Sequence, residues 1–290
     1  MAMERKVREV VASKSTMEGA GVRLWRAFGF NEAPSLDPFL LLDDFRATEP
    51  RHYIKGFPWH PHRGIETITY ILEGTVEHGD SLGNSGTIGP GDLQWMTAGS
   101  GIIHQEMPKG DPRGRMGGFQ LWANLPAAEK MRDPRYRDVK ASQVPEIDAG
   151  TGVRVRIVAG EIGGTRGPIR DVVTDPEYLD VTVAPGTEFV HATTPGHRVF
   201  AYVIEGSIRF GAREGQAAEN ATLVLFEDGE RLTGFTRDDP ARFLLVSGRP
   251  IGEPVAWYGP IVMNTEEELR VAFDEYRNGT FLKKGTSSQG

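Results

Sequence analysis

The sequence predicts an all-β protein made of two similar domains, and three observations carry that prediction. Gly and Pro together supply 55 of the 290 residues (36 and 19), a density that suits many short strands and tight turns better than long helices. Tyr70-Ile-Leu-Glu-Gly-Thr-Val returns as Tyr202-Val-Ile-Glu-Gly-Ser-Ile, an offset of 132 residues, and a repeat this long means two like domains rather than a solenoid. Helical periodicity is strong in one place only, near the C-terminus.

In each copy an apolar run meets a Glu-Gly pair (Glu73-Gly74, Glu205-Gly206) before a second apolar run, the pattern of a hairpin. Thr87-Ile-Gly-Pro-Gly-Asp-Leu-Gln-Trp-Met then answers Ala221-Thr-Leu-Val-Leu-Phe at a shorter offset. The expected domains are 1–140 and 141–290, with the mixed charges of 126–153 reading as a solvated linker. Near the end, Thr265 and Glu268 form a capping box. Leu269, Phe273 and Tyr276 follow at helical spacing, and Gly279 stands where a helix would stop. The tail beyond Lys284 is expected to be disordered.

Composition removes several function classes. A net charge of −7 argues against direct binding to DNA through its backbone, which needs a basic face. The absence of cysteine excludes disulfides and thiolate metal sites. The charged N-terminus lacks the apolar core of a signal peptide, and no run approaches the ~18–20 apolar residues of a membrane helix. A soluble, cytoplasmic protein is expected (nuclear also, in a eukaryote), with a monomer as the expected state.

Two short pairs carry the chemistry: His60-Pro-His62 and His104-Gln-Glu106. On a strand, residues i and i+2 point to one face, so each pair aims two metal-binding side chains the same way. Imidazole and carboxylate suit a divalent first-row metal, and three nitrogens with one oxygen leave room on an octahedron for substrate or dioxygen. At offset 132, His60 and His62 become Ala192 and Thr194, and no histidine follows His197. The metal therefore belongs to the first copy, and His191 and His197 read as surface or loop residues. Glu66 competes with Glu106 as the carboxylate, because parity would place it on the face of His62.

These motifs resemble a known family. Phe57-Pro-Trp-His-Pro-His-Arg-Gly-Ile-Glu-Thr-Ile-Thr-Tyr-Ile-Leu-Glu-Gly and Pro90-Gly-Asp-Leu-Gln-Trp-Met-Thr-Ala-Gly-Ser-Gly-Ile-Ile-His-Gln-Glu-Met-Pro closely resemble the two motifs of the pirins, a branch of the cupin superfamily. Asp37-Pro-Phe-Leu-Leu-Leu-Asp-Asp-Phe is similar to the stretch upstream. The resemblance implies a bicupin: two antiparallel β-barrel (jelly-roll) domains face to face with a short C-terminal helix. It implies one iron (Fe2+/Fe3+) per chain, held in the N-terminal domain by His60, His62, His104 and Glu106. It also implies a quercetin 2,3-dioxygenase-type activity, the O2-dependent ring opening of a flavonol, with Glu106 as proton acceptor. The alternative it carries is a non-enzymatic, redox-responsive iron protein that binds a regulatory partner, as a transcription cofactor or a regulator of metabolic enzymes.

Around these ligands, Glu66 is expected as an acceptor for an imidazole N–H or as a polar strand-face residue. Phe57 and Asp43 are expected at the mouth of the substrate pocket. Of Trp59, Trp95 and Trp122, at least two are expected in the core. Gly99 and Gly101 let the backbone turn before His104, and His78 is expected at the surface.

Overall fold

The computed structural model describes residues 2–283, so the expectation for the tail lies outside the described residues. The chain forms two antiparallel jelly-roll units of the cupin type and one helix. The first unit packs a seven-stranded sheet, running from Arg135–Val139 at one edge to Lys14–Glu18 at the other, against a four-stranded sheet. That smaller sheet is ordered Phe57–His62, Ile102–Lys109, Thr75–Asp80, Ser85–Ile88. The second unit is built on a ten-stranded sheet.

The chain exchanges its two ends. Strand Val7–Ala12 pairs with Thr222–Phe226, inside the sheet of the second unit. The buried Arg5 fixes it there, donating to Thr193 Oγ1 at 2.7 Å, Glu227 O at 2.8 Å and Thr194 O at 2.9 Å. At the other end, helix Glu266–Arg277 begins with the expected Thr265–Glu268 capping box. It packs through Leu269 and Ala272, with Phe281 just beyond its end, against the short hairpin Ala256–Tyr258/Ile261–Met263.

The Glu-Gly pairs are not hairpins. Ile65–Glu73 lies in the seven-stranded sheet and Thr75–Asp80 in the four-stranded one, so the chain changes sheets at Gly74. In the second copy, Arg198–Phe210 runs as one strand of 13 residues straight through Glu205-Gly206. Both glycines adopt positive φ (72° and 68°), and a Cβ on Gly206 would sit 1.8 Å from Pro240 O. Each glycine is a strand corner, which in sequence looks like a turn between paired strands.

The stretch 126–153 is also more than a linker. Arg135–Val139 pairs with Leu93–Thr97 and extends the first sheet, and Lys130 is buried. Its charges alternate along a strand edge, a pattern that charge counting does not separate from solvated coil.

Parity along the repeated strand explains how two similar units come to differ. Ile68, Tyr70 and Leu72 face the other unit, as do Phe200, Tyr202 and Ile204 at offset 132, and together they build the core between the units. The opposite face carries Thr67 and Thr69 in the first copy but Val199 and Ala201 in the second. The second interior is accordingly a single apolar cluster in which Phe189, Phe210, Phe226 and Phe243 pack edge to face. The first interior is polar, and its apolar residues divide into two smaller clusters.

Candidate metal centre

His60 and His62 lie on strand Phe57–His62, and His104 sits directly opposite His60 on Ile102–Lys109. Pleating sends all three side chains into the first barrel. The ring centroids are 4.4–5.0 Å apart, and one nitrogen of each ring lies within 4.8 Å of the others. Burial pushes His62 and His104 well below the usual imidazole range, and the neighbouring imidazoles add to the effect. Both effects favour the neutral ring, the form a metal ligand requires.

The hydrogen bonds fix the tautomers. Nδ1 of His60 is 2.8 Å from Pro58 O, and Nδ1 of His62 is 3.1 Å from Pro260 O. A carbonyl only accepts, so both Nδ1 atoms carry a proton, and in the neutral form of each ring Nε2 presents its lone pair. Those two Nε2 atoms face each other at 3.0 Å. Both ring nitrogens of His104 are buried without a hydrogen-bond partner among the described residues. Opposed lone pairs and an orphaned buried imidazole are unfavourable by themselves, and a cation among the three rings relieves the first and gives one His104 nitrogen a partner. The residues fit a metal ion of the imidazole-binding kind.

Glu106 is buried, two residues along the strand from His104, with a register irregularity between them. Its carboxylate is not part of the three-nitrogen cluster. Gln120 Nε2 donates to both its oxygens (3.1 and 2.9 Å), and Thr69 Oγ1 donates to Oε1 at 3.0 Å. The other end of Gln120 accepts from the Trp122 indole at 3.0 Å, which sets the orientation of its amide. Gln120 is a site residue that the sequence reading missed; its signal is faint, a polar residue amid the apolar run of the strand Gly117–Asn124.

Glu66 accepts from Thr97 Oγ1 at 2.6 Å rather than from an imidazole; burial raises its pKa. Parity with His62 fails because the strand ends at His62 and the chain turns at Gly64 (φ +77°) before the next begins. His78 is buried, not exposed. It lies opposite Glu106 in the ladder, with Nδ1 at 2.9 Å from Tyr136 Oη and Nε2 at 3.1 Å from Asp138 Oδ2. No hairpin precedes it, so no solvent-facing turn carries it outward. In the second unit, His191 pairs with Glu177 at 2.8 Å.

A cavity of about 740 Å³ opens onto His60 and His62. Phe57 and Asp43 line it, as do Trp122 and Trp257. Trp122 meets His62 edge-on at 5.0 Å and Trp257 at 6.0 Å. Of the three tryptophans weighed for the core, Trp95 is buried in it, Trp122 is partly buried against it while lining the cavity, and Trp59 is 53% exposed. Asp43 is held by both arms of Arg26 at 2.8 Å. Burial pushes its carboxyl up to about 6, against the pull of that guanidinium.

Paired jelly rolls with a histidine triad in one of them define a two-domain cupin with a candidate metal centre. Residues 21–123 match the family model Pirin and residues 178–282 match Pirin C-terminal cupin domain. The chain belongs to the pirin family. It is 45% identical to a pirin-like protein of Caulobacter vibrioides, over 96% of this chain and 99% of that one. It is 42% identical to a Pseudomonas aeruginosa protein provisionally named a quercetin 2,3-dioxygenase, with the same coverage. Among solved structures, the quercetin 2,3-dioxygenase of Acinetobacter baumannii superposes with a TM-score of 0.87 at 30% identity, covering 96% of this chain and 98% of that one. No helix among the described residues is long and apolar enough to cross a membrane.

Proposed function

We propose that the protein is an iron-dependent dioxygenase of the quercetin 2,3-dioxygenase type. His60, His62 and His104 hold the metal, and Glu106 serves as the fourth donor and as the proton acceptor. One observation carries this reading: an aromatic-walled cavity opens onto His60 and His62, and these two rings cluster with His104 in the barrel interior. Such a cavity suits a flat, largely apolar ligand, and the likeness to proteins named as quercetin 2,3-dioxygenases supports a flavonol.

When bound, the metal supplies Lewis acidity towards the 3-hydroxyl oxygen of the flavonol. The protein's own groups do the rest. The Trp122 and Trp257 faces hold the rings flat against the cavity wall. Glu106 takes the hydroxyl proton, and Gln120 with Thr69 keeps its carboxylate aimed. The buried strands around His104 exclude bulk water. Both atoms of O2 enter the product as the heterocycle opens, and the carbon bearing the 3-oxygen leaves as carbon monoxide.

The test is metal analysis of the purified protein joined to an assay with quercetin. Iron-loaded protein is expected to consume O2 and bleach the flavonol. Turnover no greater than that of the metal-stripped protein would overturn the assignment.

A further inference from the structure

The second half of the chain has lost the ligand positions, yet it reaches back and touches the metal centre of the first half. The contact is made by residues 257–263 and the helix that follows. Pro260 O, 198 residues from His62, accepts the His62 Nδ1 proton at 3.1 Å. Val262 N donates to Arg63 O at 3.1 Å, next to a bridge between Arg63 and Ile261. Lys130 Nζ joins the two segments, within hydrogen-bonding reach of Val262 O at 3.0 Å, Gly64 O at 2.9 Å and Asn124 Oδ1 at 2.7 Å. The approach leaves no space for a side chain, since a Cβ on Gly64 would lie 1.9 Å from Val262 O.

Arg63 fastens this arm. His62 is the last residue of its strand, and Arg63, which follows it, bridges to Ile261 and turns its side chain towards the C-terminal arm. Although charged, Arg63 is 1% exposed. Its Nε donates to Ser100 O at 2.7 Å, on the loop leading to His104, and its Nη2 donates to Phe281 O at 2.8 Å. Nη2 also stands 2.8 Å from Glu275 Oε2 of the helix in an ion pair, and the guanidinium lies 4.3 Å over the Phe281 ring. One side chain thus ties the His62 strand, the His104 loop and the C-terminal helix together.

We propose that Arg63 is a positioning residue for the metal centre. It holds the C-terminal arm so that the Pro260 carbonyl keeps His62 in its Nδ1–H form, with Nε2 free for the metal. The C-terminal arm is in this sense a part of the first domain's metal site and governs how tightly that site retains its ion. The proposal rests on the metal-binding half of the function above and is independent of which substrate is turned over.

Purified full-length protein loaded with Ni(II), a divalent ion that imidazole sites accept, is mixed with excess chelator and metal release is timed. Arg63→Met keeps the length of the side chain and removes its donors; it is expected to release metal about 10- to 100-fold faster, as loss of a partner behind a ligand does. Glu275→Gln weakens the helix contact of Arg63, together with the surface pairing of Glu275 with Lys283, and is expected to speed release by a smaller factor. Arg270→Met, on the exposed side of the same helix, is expected to match wild type. Imidazole 15N shifts of the metal-free protein give a second readout: wild type shows the Nδ1–H form of His62, and Arg63→Met a mixture of tautomers.

Unchanged release and an unchanged tautomer in a folded Arg63→Met protein would overturn the proposal. If that variant does not fold, Glu275→Gln decides, with faster release supporting the role and unaltered release refuting it. Wild-type protein that takes up no divalent ion at all would instead refute the metal centre itself.

Discussion

The hydroxyl of Tyr70 stands 2.8 Å from Oδ2 of Asp180 in the opposite domain. The contact has a counterpart, because Tyr202, the repeat equivalent of Tyr70, donates to Asp44 at 2.9 Å in the other direction. Each aspartate is gripped by an arginine of its own domain, Asp180 by Arg242 and Asp44 by Arg46. The duplication thus left a reciprocal pair of Tyr-Asp-Arg clamps across the face between the domains. Buried carboxylates placed this way are tolerated because each is both ion-paired and hydrogen-bonded.

The clamps are expected to contribute to stability independently of the metal. Tyr70→Phe and Tyr202→Phe each remove one hydrogen bond to a buried charge, at a cost of about 1.5–3 kcal/mol. Asp180→Ala is expected to cost more, about 3–5 kcal/mol, since it leaves Arg242 with only the exposed Glu205, 3.7 Å away. Urea unfolding of the metal-free protein measures these; a Tyr70→Phe midpoint equal to wild type would show that the hydroxyl contributes nothing.

His62→Ala and His104→Ala are expected to abolish metal binding while the barrel stays folded. The second copy gives the reason, as its equivalents of His60 and His62 are Ala192 and Thr194 and its barrel closes around apolar residues. Elemental analysis with circular dichroism checks this. Cooperative loss of structure in either variant would mean that the ligands hold the fold as well as the ion.

Gln120→Ala is expected to separate metal binding from turnover. It frees Glu106 of its principal donor without touching an imidazole, so metal content should persist while kcat/KM for quercetin falls about 10- to 100-fold. An unaltered kcat/KM would remove Gln120 from the working site.

The corner glycines give a steric prediction. Gly206→Ala must place a Cβ against Pro240 O in a left-handed backbone, and about 2–4 kcal/mol of destabilisation is expected. Gly211 has a similar φ of 77° with nothing within 4 Å of its would-be Cβ, so Gly211→Ala should cost only about 1 kcal/mol. Equal denaturation midpoints for the two variants would refute the corner role.

Lys130 makes stability depend on pH. Burial pushes its ammonium from 10.5 down to about 7, against the pull of Glu253 and Glu268. Between these values the unfolded chain binds a proton that the folded chain does not, so this group makes stability rise as pH goes from 7 to 10.5. Lys130→Met removes that slope. The stability difference between wild type and variant is expected to change by about 1 kcal/mol per pH unit in this window, and parallel urea curves from pH 7.5 to 9.5 would exclude it.

Much of the candidate site was legible because its signals are local. His60 and His62 face one way since they are two residues apart on a strand, and Thr265 with Glu268 caps a helix through a three-residue spacing. The hairpin expectation failed for the same local reason: a glycine at positive φ marks a turn or a corner alike, and only the pairing of the flanking strands tells them apart. The surface assignment of His78 followed from that error. Gln120, Pro260 and Arg63 carried no clear signal, since their roles depend on partners 14, 198 and 218 residues away.

The sequence by itself determined the β architecture, the duplication and the confinement of the three histidines to one copy, because pleat, turn and cap are set by residues near one another in the chain. Only the tertiary structure decided that Glu106 leans on Gln120, that the cavity wall is shared with Trp257, and that the last segment of the chain returns to hold His62. Those relations arise where distant strands are packed against each other, and packing follows from the whole fold.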